Sequence, residues 1–267
     1  MKRFILNADD LAKDVSHNSA ILAAYEHGLL KSASIMTNMD SFDDALNRVV
    51  RNCPKMSIGV HLNLIEGKSV LDNLDMLTDS EKNFNNSFIN LLLKSYNSKF
   101  LAQVEAEFRA QIERAKQSEI KITHLDSHVH THSIPNIFNI VARLAKEYGI
   151  PQIRTQEEIP YLIGNKKYNP INFIKVILLA SFTVVNRFSA KKYNLRTNDF
   201  LIGVSYTGDM DSSTILEGLK KVVNKKGANT VEALIHPTLE NKEFELTKDS
   251  ELKNHIERMN YVISNYQ

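Results

Sequence analysis

The sequence has little cysteine, almost no excess charge of either sign, and no apolar run of membrane-spanning length. Cys53 is the only cysteine, so no intramolecular disulfide can form and a cysteine-rich metal site is excluded. Any metal would have to be held by histidine and carboxylate side chains. The 33 Lys+Arg against 31 Asp+Glu leave a formal net charge of +2. Because the basic residues are scattered, this balance indicates a solvated surface and no nucleic-acid partner.

A leader segment and a membrane span are also not expected. The N-terminal MKRFILNADD has too few apolar residues for a signal-peptide core, which predicts a cytoplasmic protein. The most apolar run, VILLASFTVV at 176–185, is about half of the roughly 20 residues that a transmembrane helix needs. We expect a buried or dimer-facing helix there and no membrane association.

No repeat or low-complexity linker divides the chain, so we expect a single domain over 1–267. Short apolar runs that suit buried strands alternate with stretches of helical periodicity. This alternation predicts an α/β fold with mainly parallel strands, and favours a (β/α) barrel that is complete, distorted or incomplete. An open doubly wound sheet is the alternative. The predicted strands are 3–8, 33–37, 57–62, 122–126, 152–154, 200–204 and 230–235, and the predicted helices are 16–26, 42–51, 99–116, 135–148, 213–225 and 250–264.

Polar side chains follow four of the predicted strands. In both architectures the functional groups gather at the carboxyl ends of parallel strands, so these side chains should lie on one face of the sheet. They are Asp9 and Asp10 in RFILNADD, His61 and Asn63 in SIGVHLNL, Asp126, His128, His130 and His132 in ITHLDSHVHTH, and His236 in VEALIHP.

Each of these features by itself has an ordinary structural explanation. The Asp9–Asp10 pair could serve a helix N-terminus, His61 could be a hydrogen-bonded histidine, and the segment 124–132 could be a polar loop. Together they favour a metal site, because two adjacent carboxylates repel unless a cation lies beside them. In an extended chain Asp126 and the three histidines after it would also share one side.

One carboxylate and two histidines from distant segments are typical of a catalytic site, which keeps positions open for water and substrate. A metal held in this way can polarise a carbonyl and lower the pKa of bound water to about 7 if a base receives the proton. The second aspartate of the pair is the natural base.

The motifs NADD, GVHLNL, THLDSHVHTH, IR and HP, in this order along nearly the whole chain, resemble those of the YdjC/ChbG-like carbohydrate deacetylases. The resemblance implies a cytoplasmic, homodimeric, Mg²⁺-dependent hydrolase with a barrel-like fold that deacetylates N-acetylated sugars such as chito-oligosaccharides. It implies Asp10, His61 and His128 as metal ligands. Two departures are NADDLA where the family has NADDFG, and the apolar segment 171–185.

The remaining roles come from the same resemblance and from the chemistry of the side chains. Asp9 would be the catalytic base, His236 the acid that protonates the departing amine, and Arg154 a basic group that orients Asp9. Asp126 would fix a histidine tautomer. The other residues expected around the substrate or behind the ligands are Asn63, His130 and His132.

Two other functions remain as alternatives. DSHVHTH also resembles the D-x-H-x-H element of PHP-type phosphoesterases and the HxH of amidohydrolases, although there the element follows the first strand. A sugar-binding protein without catalysis is the second alternative. Imidazole and carboxylate ligands suit Zn²⁺ or Mn²⁺ better than Mg²⁺, so the ligand types leave the metal open.

Overall fold

In a computed structural model, which describes residues 1–164, 166–167 and 169–267, the described strands form one sheet in which all pairs are parallel. The strands are β1 (Lys2–Leu11), β2 (Ser32–Ile35), β3 (Ser57–Leu62), β4 (Ile122–Ser127), β5 (Phe200–Ile202), β6 (Thr230–Ile235) and β7 (Tyr261–Ser264). Their order is β4-β3-β2-β1-β6-β5, and β7 pairs with the first half of β1. Strands β1, β3 and β6 are buried on both faces along nearly their whole length, as expected for a parallel sheet covered by helices.

The segment 151–157 connects the two edge strands, β4 and β5. It makes isolated parallel bridges, Leu125 to Ile153 and Gln152 to Arg196, and Glu157 O accepts a hydrogen bond from Leu201 N at 2.8 Å. The predicted strand 152–154 is therefore not a regular strand but a row of irregular bridges. The sheet curls into an incomplete barrel, which confirms the predicted fold class.

Helices follow most of the strands and cover the sheet. Several begin at side-chain caps: Asp14 accepts from His17 N at the start of the first helix, and Asn97 accepts from Phe100 N before the long fourth helix. The helices are α1 (Val15–Glu26), α2 (Phe42–Ala45), α3 (Phe88–Lys94), α4 (Ser98–Gln117), α5 (Pro135–Glu147), α6 (Pro170–Lys192), α7 (Ser212–Val222), α8 (Lys242–Glu245) and α9 (Ser250–Arg258). The predicted helix 42–51 is α2 continued by the π turn Leu46–Val50.

The predicted helix 250–264 is wrong in its second half. Helix α9 ends at Arg258, and Asn260 then adopts a left-handed backbone with φ 63°. The next residues form strand β7, in which Tyr261 and Ile263 are buried against β1 while Val262 is exposed. This alternation has a period of two, which is the strand period and not the helical one.

Helix α6 contains the apolar run and is longer than that run suggests. With 23 residues and a mean hydropathy of 1.5 over an 18-residue window, the helix is long and apolar enough to cross a membrane. Of that window, 28% is buried. One such helix is weak evidence for a membrane span. Because most of the window is not buried in the single chain, the buried alternative does not hold, and the dimer-facing helix stays a prediction.

Candidate metal centre

The two adjacent aspartates lie at the end of β1, where the backbone is irregular. The pairing of β1 with β2 shifts register between Ala8 and Leu11, and Asp10 has φ 63°. A β-bulge of this kind changes the direction in which a side chain points. Asp9 and Asp10 therefore contact different groups, which relieves the repulsion expected between adjacent carboxylates.

Asp10 faces two histidines from other strand ends. Its Oδ1 lies 2.9 Å from His128 Nδ1 and 3.3 Å from His61 Nε2. All three side chains are nearly inaccessible to solvent. Burial by itself would raise the pKa of Asp10, but the hydrogen bonds from His128 and His61 hold it well below its usual range.

These three residues fit a divalent metal. They offer one ligand atom each, and the atoms lie within 4.8 Å of one another, as one carboxylate and two imidazoles of an open site would. Asp9, His61 and Asp126 meet the same distance criterion. The first group fits better, because Arg154 already contacts both carboxylates of the second.

His61 is held from behind by Asp126. The Nδ1 of His61 lies 2.8 Å from Asp126 Oδ1, so Nε2 is the nitrogen that faces Asp10. The other oxygen of Asp126 accepts from Ser34 Oγ at 2.6 Å. Burial would lower the pKa of His61, but the carboxylates of Asp126 and Asp9 raise it to about 10. The histidine whose ring Asp126 fixes is therefore His61, and not His128, which lies two residues after Asp126 in the sequence.

Asp9 is bound by a buried arginine. Arg154 NH1 and NH2 donate to the two carboxylate oxygens at 2.7 Å each, and Asn7 Nδ2 donates to Oδ1 at 2.8 Å. Burial raises the pKa of Asp9, but Arg154 and His61 together outweigh it and the net shift is downward. Arg154 also contacts Glu232, whose carboxylate accepts a hydrogen bond from the hydroxyl of Tyr266. Arg154 is fully buried, so it fixes the position of Asp9 from the interior of the protein.

The segment His128–Ser133 is a 3-10 turn and not an extended strand. Val129 and His130 both have left-handed backbones, with φ 53° and 58°, so the period-two arrangement expected for the histidines ends at Ser127. His132 is fully buried, with Nδ1 2.6 Å from Ser127 Oγ and Nε2 3.0 Å from Arg154 O. His132 therefore links the end of β4 to the backbone of the segment that carries Arg154.

His130 differs from His132 because no hydrogen-bond partner within the described ranges reaches its buried Nδ1. Burial, together with the charge of Arg154, lowers the pKa of His130 to about 3. It is a neutral imidazole, in part accessible to solvent.

His236 lies at the end of β6, with Nδ1 3.6 Å from Glu243 Oε2. Burial would lower the pKa of His236, but the nearby carboxylate of Glu243 and the charges of Asp10 and Asp9 raise it. Asn63, in contrast, is fully buried, and its side-chain oxygen accepts hydrogen bonds from backbone N–H groups of the turn that follows β3. The strand ends thus bring Asp10, His61 and His128 together, with Asp9 and Arg154 beside them.

Two site residues were missed in the sequence. Glu66 Oε1 lies 3.3 Å from His128 Nε2, and Lys13 Nζ lies 3.0 Å from Glu66 Oε2 and 3.4 Å from Asp10 Oδ2. The hydrogen bond from His128 contributes most to lowering the pKa of Glu66, to about 2. The position of Glu66 shortly after a strand end, before Gly67, is the signal that could have found it.

The fold and site define a class: parallel-sheet α/β proteins with a buried Asp/His/His group, able to hold a divalent metal, at the strand ends. The chain belongs to the YdjC-like protein family, whose model matches residues 3–264.

Similar proteins were found by sequence and by structure. A carbohydrate deacetylase of Clostridium beijerinckii is 36% identical over 169 residues, 63% of this chain and 64% of that protein. The match thus spans less than two thirds of that relative's length. One of Thermoanaerobacter pseudethanolicus is 27% identical over 260 residues, 97% of this chain and 90% of that protein. An Enterococcus faecalis V583 structure, provisionally named a cellobiose-phosphate cleavage protein, is 24% identical with a TM-score of 0.72, covering 99% of this chain and 97% of that one. This likeness shows the fold.

Proposed function

We propose that the protein is a metal-dependent hydrolase that removes acetyl groups from N-acetylated carbohydrates, with chito-oligosaccharide-like molecules as substrates. The observation that carries the proposal is the convergence of Asp10 Oδ1, His61 Nε2 and His128 Nδ1 at the carboxyl ends of three strands. The deacetylases among the relatives support the same reaction.

Asp10, His61 and His128 would hold the metal. A divalent ion there supplies a Lewis acid that polarises the acetyl carbonyl and offsets the negative charge that develops on its oxygen. Buried partners fix the ligand side chains before any ion binds, which reduces the reorganisation needed on binding.

Asp9 would accept the proton that water loses when it adds to the carbonyl carbon. Arg154 keeps Asp9 ionised at neutral pH and fixes the plane of its carboxylate. Oδ1 of Asp9 accepts from both Arg154 and Asn7, whereas Oδ2 accepts from Arg154 among the described contacts and keeps a lone pair for that proton. Because its pKa is low, Asp9 is a weak base. Its contribution to catalysis would therefore depend on its position next to the reacting water.

His236 would protonate the departing amine. Glu243 and the nearby carboxylates favour its protonated form, and an imidazole can release a proton near neutral pH without a large driving-force loss. His130, neutral and with a free buried nitrogen in the described part of the site, would face the sugar.

The test is acetate release from N-acetylated chito-oligosaccharides by the full chain, after chelation and after return of Mg²⁺, Mn²⁺ or Zn²⁺ separately. We expect loss in chelator, recovery with one of the ions, and no recovery in His128→Ala. Unchanged activity in chelator would contradict the metal mechanism. Hydrolysis of phosphate esters in place of acetamides would favour the phosphoesterase alternative.

We also propose a cytoplasmic homodimer that uses α6. The exposed apolar residues of this helix lie on one face, opposite the face that packs on the protein. An exposed stripe of this length is typical of an interface between subunits, and the same helix on a second chain would cover it in a two-fold arrangement. The exposed set is Ile171, Phe173, Ile174, Ile177, Val184, Val185 and Phe188.

A further inference from the structure

The two histidines of the metal centre have matching surroundings. Each directs one ring nitrogen at Asp10 Oδ1 and the other at a carboxylate. For His61 the carboxylate is Asp126, at 2.8 Å, and for His128 it is Glu66, at 3.3 Å. Because a neutral imidazole carries one N–H, a metal bound beside Asp10 would take the lone pair of the nitrogen that faces Asp10 and leave the N–H on the nitrogen that faces the other carboxylate.

Glu66 lies in a turn that its neighbours fix. The side chain of Asn63 accepts from Glu66 N at 3.1 Å and donates to Glu66 O at 2.7 Å. Asn38 Nδ2 donates to the same carbonyl at 3.1 Å. The next residue, Gly67, has φ +72°, and a Cβ there would lie 2.9 Å from Met39 Sδ. The backbone of Glu66 is therefore held independently of its side chain.

Helix α4 fixes both ends of the loop that carries this turn. Gln111 accepts from Asn63 N at 2.9 Å and donates to Asn63 O at 2.7 Å. One helical turn away, the buried carboxylate of Glu107 accepts from the backbone N–H groups of Val70 and Leu71 at 3.0 and 3.1 Å. Two buried polar side chains on one helix face thus hold the loop against the site.

The side chain of Glu66 is oriented as well. One oxygen faces His128 and the other lies 3.0 Å from Lys13 Nζ. An isolated surface ion pair between lysine and glutamate would contribute little. Here the pair fixes the carboxylate whose other oxygen faces a buried ring.

We propose that Glu66 is the positioning residue of His128: it accepts the Nε2–H and so presents Nδ1 to the metal, as Asp126 presents Nε2 of His61. This inference rests on the proposed function. Carboxylates behind metal-bound histidines typically change metal affinity by 10–100-fold when removed. Glu66 also connects Lys13 and the turn after β3 to the metal centre.

The test measures binding of Zn²⁺ alone by competition with a chromophoric chelator, together with the ring ¹⁵N shifts of His128. Glu66→Ala should lower affinity by about 10–100-fold and lose the fixed tautomer of His128. Glu66→Gln, which keeps an acceptor oxygen, should lie between Glu66→Ala and wild type. Glu81→Gln, at an exposed position in another loop, is the matched control and should bind as wild type.

The melting temperatures of the metal-free variants show whether a loss of metal affinity comes from a loss of folding stability. We expect no such loss of stability, since the turn is held by Asn63 and not by the Glu66 side chain. Wild-type affinity in Glu66→Ala, in a protein whose wild type binds Zn²⁺ and releases acetate, would overturn this inference alone. A wild type that binds no metal would overturn both this inference and the metal-dependent function.

Discussion

Arg154 donates to both carboxylate oxygens of Asp9 at 2.7 Å, and neither side chain is accessible to solvent. The neighbouring carboxylate, Asp10, instead faces two histidines. Two residues adjacent in sequence thus have different electrostatic partners: a permanent cation for one, and a group able to hold a metal for the other.

Substitution of each aspartate should separate these roles. Asp9→Asn should reduce acetate release by about 10²–10⁴-fold, the usual contribution of a general base, while Zn²⁺ affinity stays within a few-fold of wild type. Asp10→Asn should lose metal binding as well as activity, because it removes the charged ligand. Chelator competition and acetate assays on the same preparations measure both. An active Asp9→Asn protein would mean that another group is the base.

Gly59 in β3 should be intolerant of any side chain. A Cβ at this position would lie 2.4 Å from His124 Nε2, and His124 cannot move away because Ser34 and Thr123 bond its ring and Tyr266 stacks on it. We expect Gly59→Ala to lower the free energy of unfolding by about 1–3 kcal/mol, as overpacking does.

Urea unfolding measures this effect, with Gly164→Ala as the control. No described atom lies within 4 Å of a Cβ at Gly164, so that variant should stay within about 0.5 kcal/mol of wild type. Equal stability of the two variants would show that the His124 ring can shift.

The buried His124 should make stability depend on pH. Burial, the largest cause, lowers its pKa from 6.5 to about 4. Between these values the unfolded chain takes up a proton that the folded protein does not. The stabilising contribution of neutral His124 to the free energy of unfolding is therefore complete above pH 6.5. It is lost as the pH falls toward 4, by at most about 1.4 kcal/mol per pH unit.

His124→Gln should reduce this slope, and urea unfolding at several pH values measures it. At pH 7.5 His124 is neutral in both the folded and the unfolded state. The difference in the free energy of unfolding between wild type and His124→Gln at that pH is the offset to subtract from the difference at lower pH. Parallel curves from pH 6.5 to 4 would be inconsistent with a neutral His124.

The exposed face of α6 should hold two chains together. Ile174→Lys should shift the sedimenting species from dimer to monomer, because it places a charge within the apolar stripe of each chain. The fold should be unaffected, since Ile174 is already 65% exposed. Ile89→Lys, at an equally exposed isoleucine on α3, is the matched control and should remain dimeric. A monomeric wild type would contradict the homodimer.

Much of the architecture follows from local pattern. The runs 57–62 and 230–235 match β3 and β6 residue for residue, because buried parallel strands are continuous apolar segments between turns. The errors occur where tertiary contacts decide. The run 152–154 makes bridges on both sides without forming a regular strand, and 261–264 pairs with β1 instead of extending α9.

The sequence by itself determined the ligand types, the four strand ends that carry polar groups and the family motifs, since these depend on composition and on spacing along the chain. Only the tertiary structure decided which nitrogen of each histidine faces Asp10, that Asp126 supports His61, and that Glu66 contacts His128. These contacts join residues far apart in the chain, and their geometry depends on the bulge in β1, the turn after β3 and the left-handed residues after β4. Local sequence patterns do not encode such pairings, because they arise only when the strands are placed side by side.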